Sequence, residues 1–108
     1  MPRLPMPPGT LAMLVLRVLR GTPLHGYAIA QRIRALSNSV LEAEEGSLYP
    51  TLQRMLLEGW VTAEAGVSET GRRVRFYTLT REGAKQLQRE IAAYEQTTAA
   101  IQAILRTA

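Results

Sequence analysis

The spacing of apolar residues between positions 45 and 60, where the sequence reads EGSLYPTLQRMLLEGW, predicts one amphipathic helix. Four large apolar residues fall at i, i+4, i+7 and i+8, which puts them on a single face directed at a core: Leu48, Leu52, Met55 and Leu56. Gly46-Ser47 is expected to cap this helix, Pro50 is tolerated in its first turn, and Gly59 is expected to end it. We therefore place a helix at residues 46–58.

The opposite face of this helix carries side chains that can hydrogen-bond to phosphates or base edges: Ser47, Tyr49, Thr51, Arg54 and Glu58. Tyr49 is the leading contact residue, whereas Ser47 is expected mainly to cap the helix. Arg54 can reach a phosphate or pair with Glu58 at i+4, and both alternatives stay open. A helix with one apolar face and one such polar face is typical of a DNA-recognition element.

Two further helices are predicted ahead of this one. Thr10 is expected to cap the first, over residues 11–20, which is apolar on most sides and therefore suited to a buried support. The second is expected to run from about residue 25 to residue 36, with three apolar residues on its inner face: Ile29, Ile33 and Leu36. About ten residues then separate it from the 46–58 helix. A simple helix-turn-helix uses a turn of roughly three or four residues, so the longer link indicates the winged variant.

The residues that follow alternate in a way that predicts a β-hairpin, with strands at 60–65 and 72–79 and a loop at 66–71. The alternation in the second strand predicts one charged face and one buried face: Arg73, Arg75 and Tyr77 against Val74 and Phe76. Three arginines lie within four positions that contain no acid: Arg72, Arg73 and Arg75. We expect these arginines to contact phosphates, and a strand edge kept soluble by its charge is the alternative.

A long final helix is predicted over residues 81–106, with Thr80 as its N-cap. Seven of its residues follow the 3.5-residue repeat of a coiled coil over three heptads: Ala84, Leu87, Ile91, Tyr94, Thr98, Ile101 and Leu105. A helix on the order of 37 Å long projects too far for a small core to cover both of its ends. We therefore expect a dimerisation helix with an interface formed by Leu87, Ile91, Tyr94, Thr98, Ile101 and Leu105. The alternative is a helix that folds back on its own domain.

Composition favours a polyanionic partner and argues against an enzyme. The chain of 108 residues has a net charge of +4 and a pI of about 10.1, and Lys85 is the one lysine among thirteen positive residues. Arginine suits bidentate contacts to phosphate and guanine, although genomic composition explains the same preference equally well. The sequence has no Cys, no Asp and a single histidine, His25, so no metal cluster, cofactor or Ser-His-Asp set is expected.

Nothing in the sequence predicts a membrane-bound or secreted protein. The longest apolar run, 11–19, is interrupted by Arg17 and reaches roughly half the length of a bilayer span. Residues 1–9 hold one arginine and four prolines, which differs from a secretory leader. We expect a cytoplasmic protein without a membrane partner.

These segments, in this order, resemble the PadR family of bacterial transcriptional regulators, and specifically its short subgroup with a single C-terminal helix. The resemblance covers about nine-tenths of the chain and is carried by GTLAMLVLRVL at 9–19, GTPLHGYAIAQRI at 21–33, EEGSLYPTLQRMLLEGW at 44–60, SETGRRVRFYTLTREG at 68–83, and the helix after it. The HGY and EGSLYP elements, followed by the GRR…FY.LT segment, are its most specific parts.

The predicted elements and the resemblance together give a mainly α fold with a small β-wing, which consists of a winged helix-turn-helix domain at 10–80 and a dimerisation helix at 81–108. The prolines at 1–9 indicate a flexible arm, and an arm that binds a DNA groove is the alternative. The resemblance also implies a homodimer that binds a palindromic operator through helix 46–58 and the wing 66–75, usually as a repressor. The DNA-binding candidates are His25, Tyr27, Ser47, Tyr49, Pro50, Thr51, Arg54, Arg72, Arg73 and Arg75. For Tyr27 two alternatives stay open, a phosphate hydrogen bond and a place in the core.

Two other hypotheses remain beside an operator-binding repressor. A winged helix can serve as a protein-interaction module without specific DNA binding, and the net charge does not exclude this. A small-molecule effector held between the C-terminal helices is the second hypothesis, and the residues do not identify such an effector.

Overall fold

Six secondary-structure elements follow one another in a computed structural model that describes residues 6–108. They are α1 (Leu11–Val18), α2 (Gly26–Leu36), α3 (Glu45–Leu57), β1 (Val61–Val67), β2 (Arg73–Leu79) and α4 (Arg81–Leu105). The fold is mainly α with a small antiparallel hairpin, as predicted. The first five residues of the arm expected at 1–9 lie outside the described residues. Within residues 6–108, no helix combines the length and apolar character needed to cross a bilayer.

An apolar core is built between the helices and the base of the hairpin. Its buried members are Met13, Val15, Leu16, Leu19, Ile29, Ile33, Ala43, Leu48, Leu52, Met55, Val61, Tyr77 and Leu87. The apolar face predicted for α3 is therefore confirmed. Leu36 differs from its prediction, because it is 69% exposed although its spacing places it with Ile29 and Ile33. It is the last residue of α2 and lies one turn beyond Ile33, the last buried residue of that face.

Two predicted helix caps are wrong. Thr10 precedes α1 but makes no side-chain cap, and its hydroxyl donates instead to the Pro7 carbonyl at 2.7 Å. Helix α3 begins at Glu45, so Gly46-Ser47 lies inside its first turn rather than before it. The helix starts this early because Glu44 already has the extended backbone of an N-cap residue, with φ of −76° and ψ of 144°.

Two other helix boundaries agree with the predictions. Thr80 Oγ1 accepts a hydrogen bond from the Gly83 N–H at 3.0 Å, which caps α4. Gly59 follows α3 with φ of +76°, a left-handed conformation that glycine adopts without steric cost. Helix α1, by contrast, ends at Val18, two residues before the predicted boundary at residue 20.

Strands β1 and β2 pair antiparallel, from Val61 opposite Leu79 to Val67 opposite Arg73. Residues 68–72 connect the two strands. Leu24, just before α2, exchanges backbone hydrogen bonds with Tyr77 at 2.9 and 3.2 Å. This bridge holds the start of α2 against β2.

The prediction of one charged and one buried face on β2 is confirmed at the tip of the hairpin, where the arginines are exposed and the residues between them half-buried, but it is wrong at the base. Tyr77 lies on the same side of the strand as Arg73 and Arg75 but is only 5% exposed, because the base of the hairpin packs on the core. Phe76, on the other side, is half-buried and covers Gly66, where an added Cβ would meet its ring at 2.6 Å. The Tyr77 side of the strand therefore changes along its length, from apolar at the base to basic at the tip.

Helix α4 is divided between the chain's own core and solvent. Its first turns pack against α1, and Leu87 is 1% exposed within the core. The prediction that Leu87 belongs to a dimer interface is therefore wrong, because its own domain already covers the side chain. Ile91 is half-buried at the edge of the same core, and the turns beyond it project into solvent with Tyr94, Ile101 and Leu105 exposed.

Candidate nucleic-acid interface

Three separate parts of the chain enclose an open groove of about 640 Å³: the start of α2, the start of α3 and the tip of the hairpin. Six of the ten predicted site residues line it: His25, Tyr27, Tyr49, Arg72, Arg73 and Arg75. We call this the wing groove. Its lining residues are far apart in the sequence, so the packing of α2, α3 and the hairpin brings them together.

Two aromatic residues form the wall at the start of α2. His25 is the N-cap of α2, and its Nδ1 accepts a hydrogen bond from the Ala28 N–H at 3.4 Å. In a neutral imidazole this leaves the proton on Nε2, which can donate to an anion. The His25 ring lies edge-on to Phe76 at 5.7 Å and parallel to Tyr27 at 6.5 Å between ring centres. Tyr27 is 64% exposed, so the alternative that it packs into the core is wrong.

The Tyr49 side chain packs α3 against α2 and is still partly exposed to the groove. Its ring lies on Gly26, where an added Cβ would come within 2.8 Å of the Tyr49 hydroxyl oxygen and 3.0 Å of two ring carbons. A larger residue at this position would force the ring to move. Tyr49 is nevertheless 47% exposed and lines the groove. A donor whose ring is already held by packing loses little conformational entropy when it binds a ligand.

The hairpin tip supplies the positive charge of the groove. Arg72, Arg73 and Arg75 are exposed, and the Arg75 guanidinium lies 6.0 Å from the centre of the Tyr77 ring. The loop is ordered by the Arg72 N–H, which donates to Ser68 Oγ at 3.2 Å. One hairpin thus presents three guanidinium groups to the same groove.

Two carboxylates that the sequence analysis missed also line the groove, Glu45 and Glu69. Glu45 is the first residue of α3, where the helix dipole stabilises a negative charge. The acid at position 45 was visible in the sequence, but it was not placed on this helix because the helix was expected to begin at residue 46. The lining therefore has three arginines against two glutamates, and its positive charge is concentrated on the hairpin. Within residues 6–108, no three His, Cys, Asp or Glu side chains form a group that could hold a metal ion.

Four predicted site residues lie on α3 outside the groove lining: Ser47, Pro50, Thr51 and Arg54. The Thr51 hydroxyl donates to the Ser47 carbonyl at 2.8 Å, a bond within the helix that already occupies the hydroxyl proton. The Arg54 guanidinium lies over the Trp60 ring, 5.5 Å from its centre. In the part of the chain that the structure describes, Arg54 makes no ion pair with Glu58, so that alternative is wrong.

Comparison with protein families agrees with this geometry. The model of the transcriptional regulator PadR-like family matches residues 15–89, from within α1 to within α4. The chain belongs to the PadR-like family. The matched range includes α2, α3 and the hairpin, which enclose the wing groove. The predictions of PadR family membership and of a transcriptional regulator rather than an enzyme are confirmed.

Solved structures of other transcriptional regulators are similar over most of this PadR-like chain. A transcriptional regulator from Clostridium thermocellum is 26% identical, with a TM-score of 0.83 over 91% of this chain and 95% of that one. A PadR family regulator from Eggerthella lenta is 29% identical, with a TM-score of 0.77 over 93% of this chain and 85% of that one. Comparison with curated proteins finds no match.

The PadR protein of Bacillus subtilis, solved in complex with operator DNA, is 27% identical to this chain. Its TM-score is 0.67, over 76% of this chain and 47% of that one. Together with the four helices and the hairpin, these similarities confirm the predicted winged-helix fold. The assignment to a short subgroup stays a prediction.

Proposed function

We propose that this PadR-like regulator binds operator DNA, with α3 in the major groove and the hairpin as a wing on the adjacent backbone. The observation that carries this proposal is the wing groove, where aromatic donors and three arginines open onto one concave surface beside α3. The B. subtilis PadR structure adds support, because that protein is in complex with operator DNA.

The groups around the groove suit phosphate oxygens. Arg72, Arg73 and Arg75 supply charge-assisted donors, and the hydroxyls of Tyr27 and Tyr49 supply neutral ones. The N-terminus of α2 opens at the same wall, and its helix dipole favours an anion. Contacts of this kind orient a protein on the duplex and make its affinity fall with salt.

We propose that a second copy of the chain covers the projecting half of α4. The stripe of α4 that begins at Leu87 is buried by the chain's own core in the first turns and open to solvent beyond Ile91. A coiled-coil repeat is stabilised when a second helix covers its apolar seam. The proposed interface therefore holds Ile91, Tyr94, Thr98, Ile101 and Leu105, without Leu87.

Such a dimer has consequences for the operator and for regulation. Two-fold symmetry would present two α3 helices roughly 34 Å apart along the duplex, which requires a palindromic operator. We propose that the bound dimer represses transcription in the cytoplasm by blocking polymerase at the promoter. A small-molecule effector between the paired α4 helices remains a further hypothesis on this proposed interface.

The test is a fluorescence anisotropy titration with labelled duplex from the region upstream of the protein's own gene. We expect saturable binding that prefers this duplex over a scrambled one of equal composition. For a protein with 6–10 phosphate contacts, affinity is expected to fall by about 10³- to 10⁵-fold between 50 and 200 mM salt. Absence of saturable, sequence-preferring binding would contradict the proposal and favour the protein-interaction module.

A further inference from the structure

The solvent-facing side of α3 forms a ridge, and none of the residues that line the wing groove belongs to it. Successive helix residues are rotated by about 100°, so four residues of α3 point within about 60° of one another, nearly opposite the buried face: Gly46, Pro50, Gln53 and Leu57. All four are exposed. We call these residues the α3 ridge, and a recognition helix that enters a major groove turns such a ridge towards the base edges.

Gln53 is the one residue of the α3 ridge with a hydrogen-bonding side chain. Gly46 has no side chain, and Pro50 and Leu57 are apolar. The Gln53 carboxamide makes no hydrogen bond or ion pair with any other residue between 6 and 108. The small residues that precede it allow the first turns of α3 to approach a surface closely, which brings the longer Gln53 side chain within reach of that surface.

The residues on either side of the ridge have other contacts. Tyr49, on one side, packs on Gly26 and lines the wing groove. Arg54, on the other side, lies over Trp60. If α3 enters the major groove as proposed, these two sides of the helix would border the phosphates and the α3 ridge between them would face the base edges.

We propose that Gln53 recognises adenine in each operator half-site, an inference that rests on the proposed function. In the major groove adenine presents the N7 acceptor and the N6 amino donor side by side, and a glutamine carboxamide pairs with both at once. The Gln53 amide N–H donates to N7, and its Oε1 accepts from the N6 amino group. Glutamine therefore distinguishes an A·T pair from G·C at one position, whereas the phosphate contacts of the wing are independent of sequence.

The test selects preferred sites from a library of randomised duplexes with the full chain and with its Gln53→Ala variant. Gln96→Ala is the matched control, because it removes the same side chain from an exposed position on α4. We expect the wild type and Gln96→Ala to select the same site, with an adenine that Gln53→Ala no longer prefers. Affinity of Gln53→Ala for the wild-type site is expected to fall roughly 5- to 150-fold for each half-site contact that is lost. Its affinity for unrelated duplex and its salt dependence are expected to stay unchanged.

A substitution in the DNA isolates the proposed contact. Replacing the selected adenine by 7-deazaadenine removes the N7 acceptor, which should weaken binding of the wild type but not of Gln53→Ala. Equal base preferences for wild type and Gln53→Ala, or equal sensitivity to 7-deazaadenine, would overturn the assignment of Gln53 while leaving the proposed function intact. Failure of the wild-type chain to select any sequence would instead overturn both the proposed function and the inference built on it.

Discussion

Leu87 and Ile101 belong to the same stripe of α4, but the structure predicts that Leu87 stabilises the fold of the chain whereas Ile101 stabilises the proposed dimer. Leu87 is buried in the chain's own core, whereas Ile101 is 50% exposed on the projecting half. Leu87→Ala removes most of a buried side chain from a close-packed core and should lower the free energy of unfolding by about 2–5 kcal/mol. Ile101→Asp leaves that core intact and should separate the proposed dimer by placing a charge in its interface.

The measurement has to separate folding from association. Because dimerisation makes apparent stability depend on protein concentration, Leu87→Ala is best measured in the Ile101→Asp background. In a domain of about 100 residues, 1 kcal/mol corresponds to about 4–8 °C in melting temperature, so a loss of 2–5 kcal/mol corresponds to roughly 8–40 °C. Ile104→Ala in the same background is the matched control, since this exposed side chain should change stability by less than about 0.5 kcal/mol.

Urea unfolding followed by circular dichroism gives the stability differences, and sedimentation gives the oligomeric state. If Leu87→Ala changes the stability of the Ile101→Asp protein by no more than Ile104→Ala does, Leu87 is not a core residue and the division of α4 is refuted. If the Ile101→Asp protein sediments as a dimer, the projecting half of α4 is not the interface.

Three further predictions concern the arginines of the wing groove, the packing of Tyr49 on Gly26, and the cap of α4. Removing Arg72 and Arg73 together should reduce the slope of log affinity against log salt by about 0.9 per lost contact, about 1.8 for each bound protomer, on every duplex; an unchanged slope in anisotropy titrations would exclude both from phosphate contact. Gly26→Ala should displace the Tyr49 ring and weaken DNA binding, and in a Tyr49→Ala background the same substitution should have little further effect on measured affinity. Thr80→Ala should lower stability by about 1 kcal/mol through loss of the α4 cap, and an unchanged urea midpoint would contradict that role.

Apolar periodicity was sufficient to predict most of the fold. The repeats that contain Leu48 and Ile29 identified the buried faces of α3 and α2, because burial of one face is a property of the helix itself. The hairpin and the cap at Thr80 followed from equally local signals. The arginines of the wing groove were visible in the same way, since a cluster of charge in a short segment needs no knowledge of the fold.

The errors arose where a distant part of the chain decides the outcome. Tyr77 was placed on a charged face because its strand alternates, yet the core beneath the hairpin buries it. Leu87 was assigned to a second copy because its repeat is that of a coiled coil, yet α1 covers it first. The groove position of Glu45 depends on the approach of α2 and the hairpin to the start of α3. The contacts of Tyr77 and Leu87 have no local signal in the sequence, whereas for Glu45 the acid was visible but its place in the groove was not.

The start of α4 is tied directly to the residues that end α3. Thr80 Oγ1 donates to the Gly59 carbonyl at 2.7 Å, and the Thr80 N–H donates to the Trp60 carbonyl at 3.0 Å. Gly83 lies so close to that carbonyl that a Cβ has no room there. The angle between α3 and α4 is therefore set by hydrogen bonds and close packing rather than by a flexible linker. In the proposed dimer, the pairing of two α4 helices would consequently set the distance between the two α3 helices, and with it the half-site spacing that the regulator accepts.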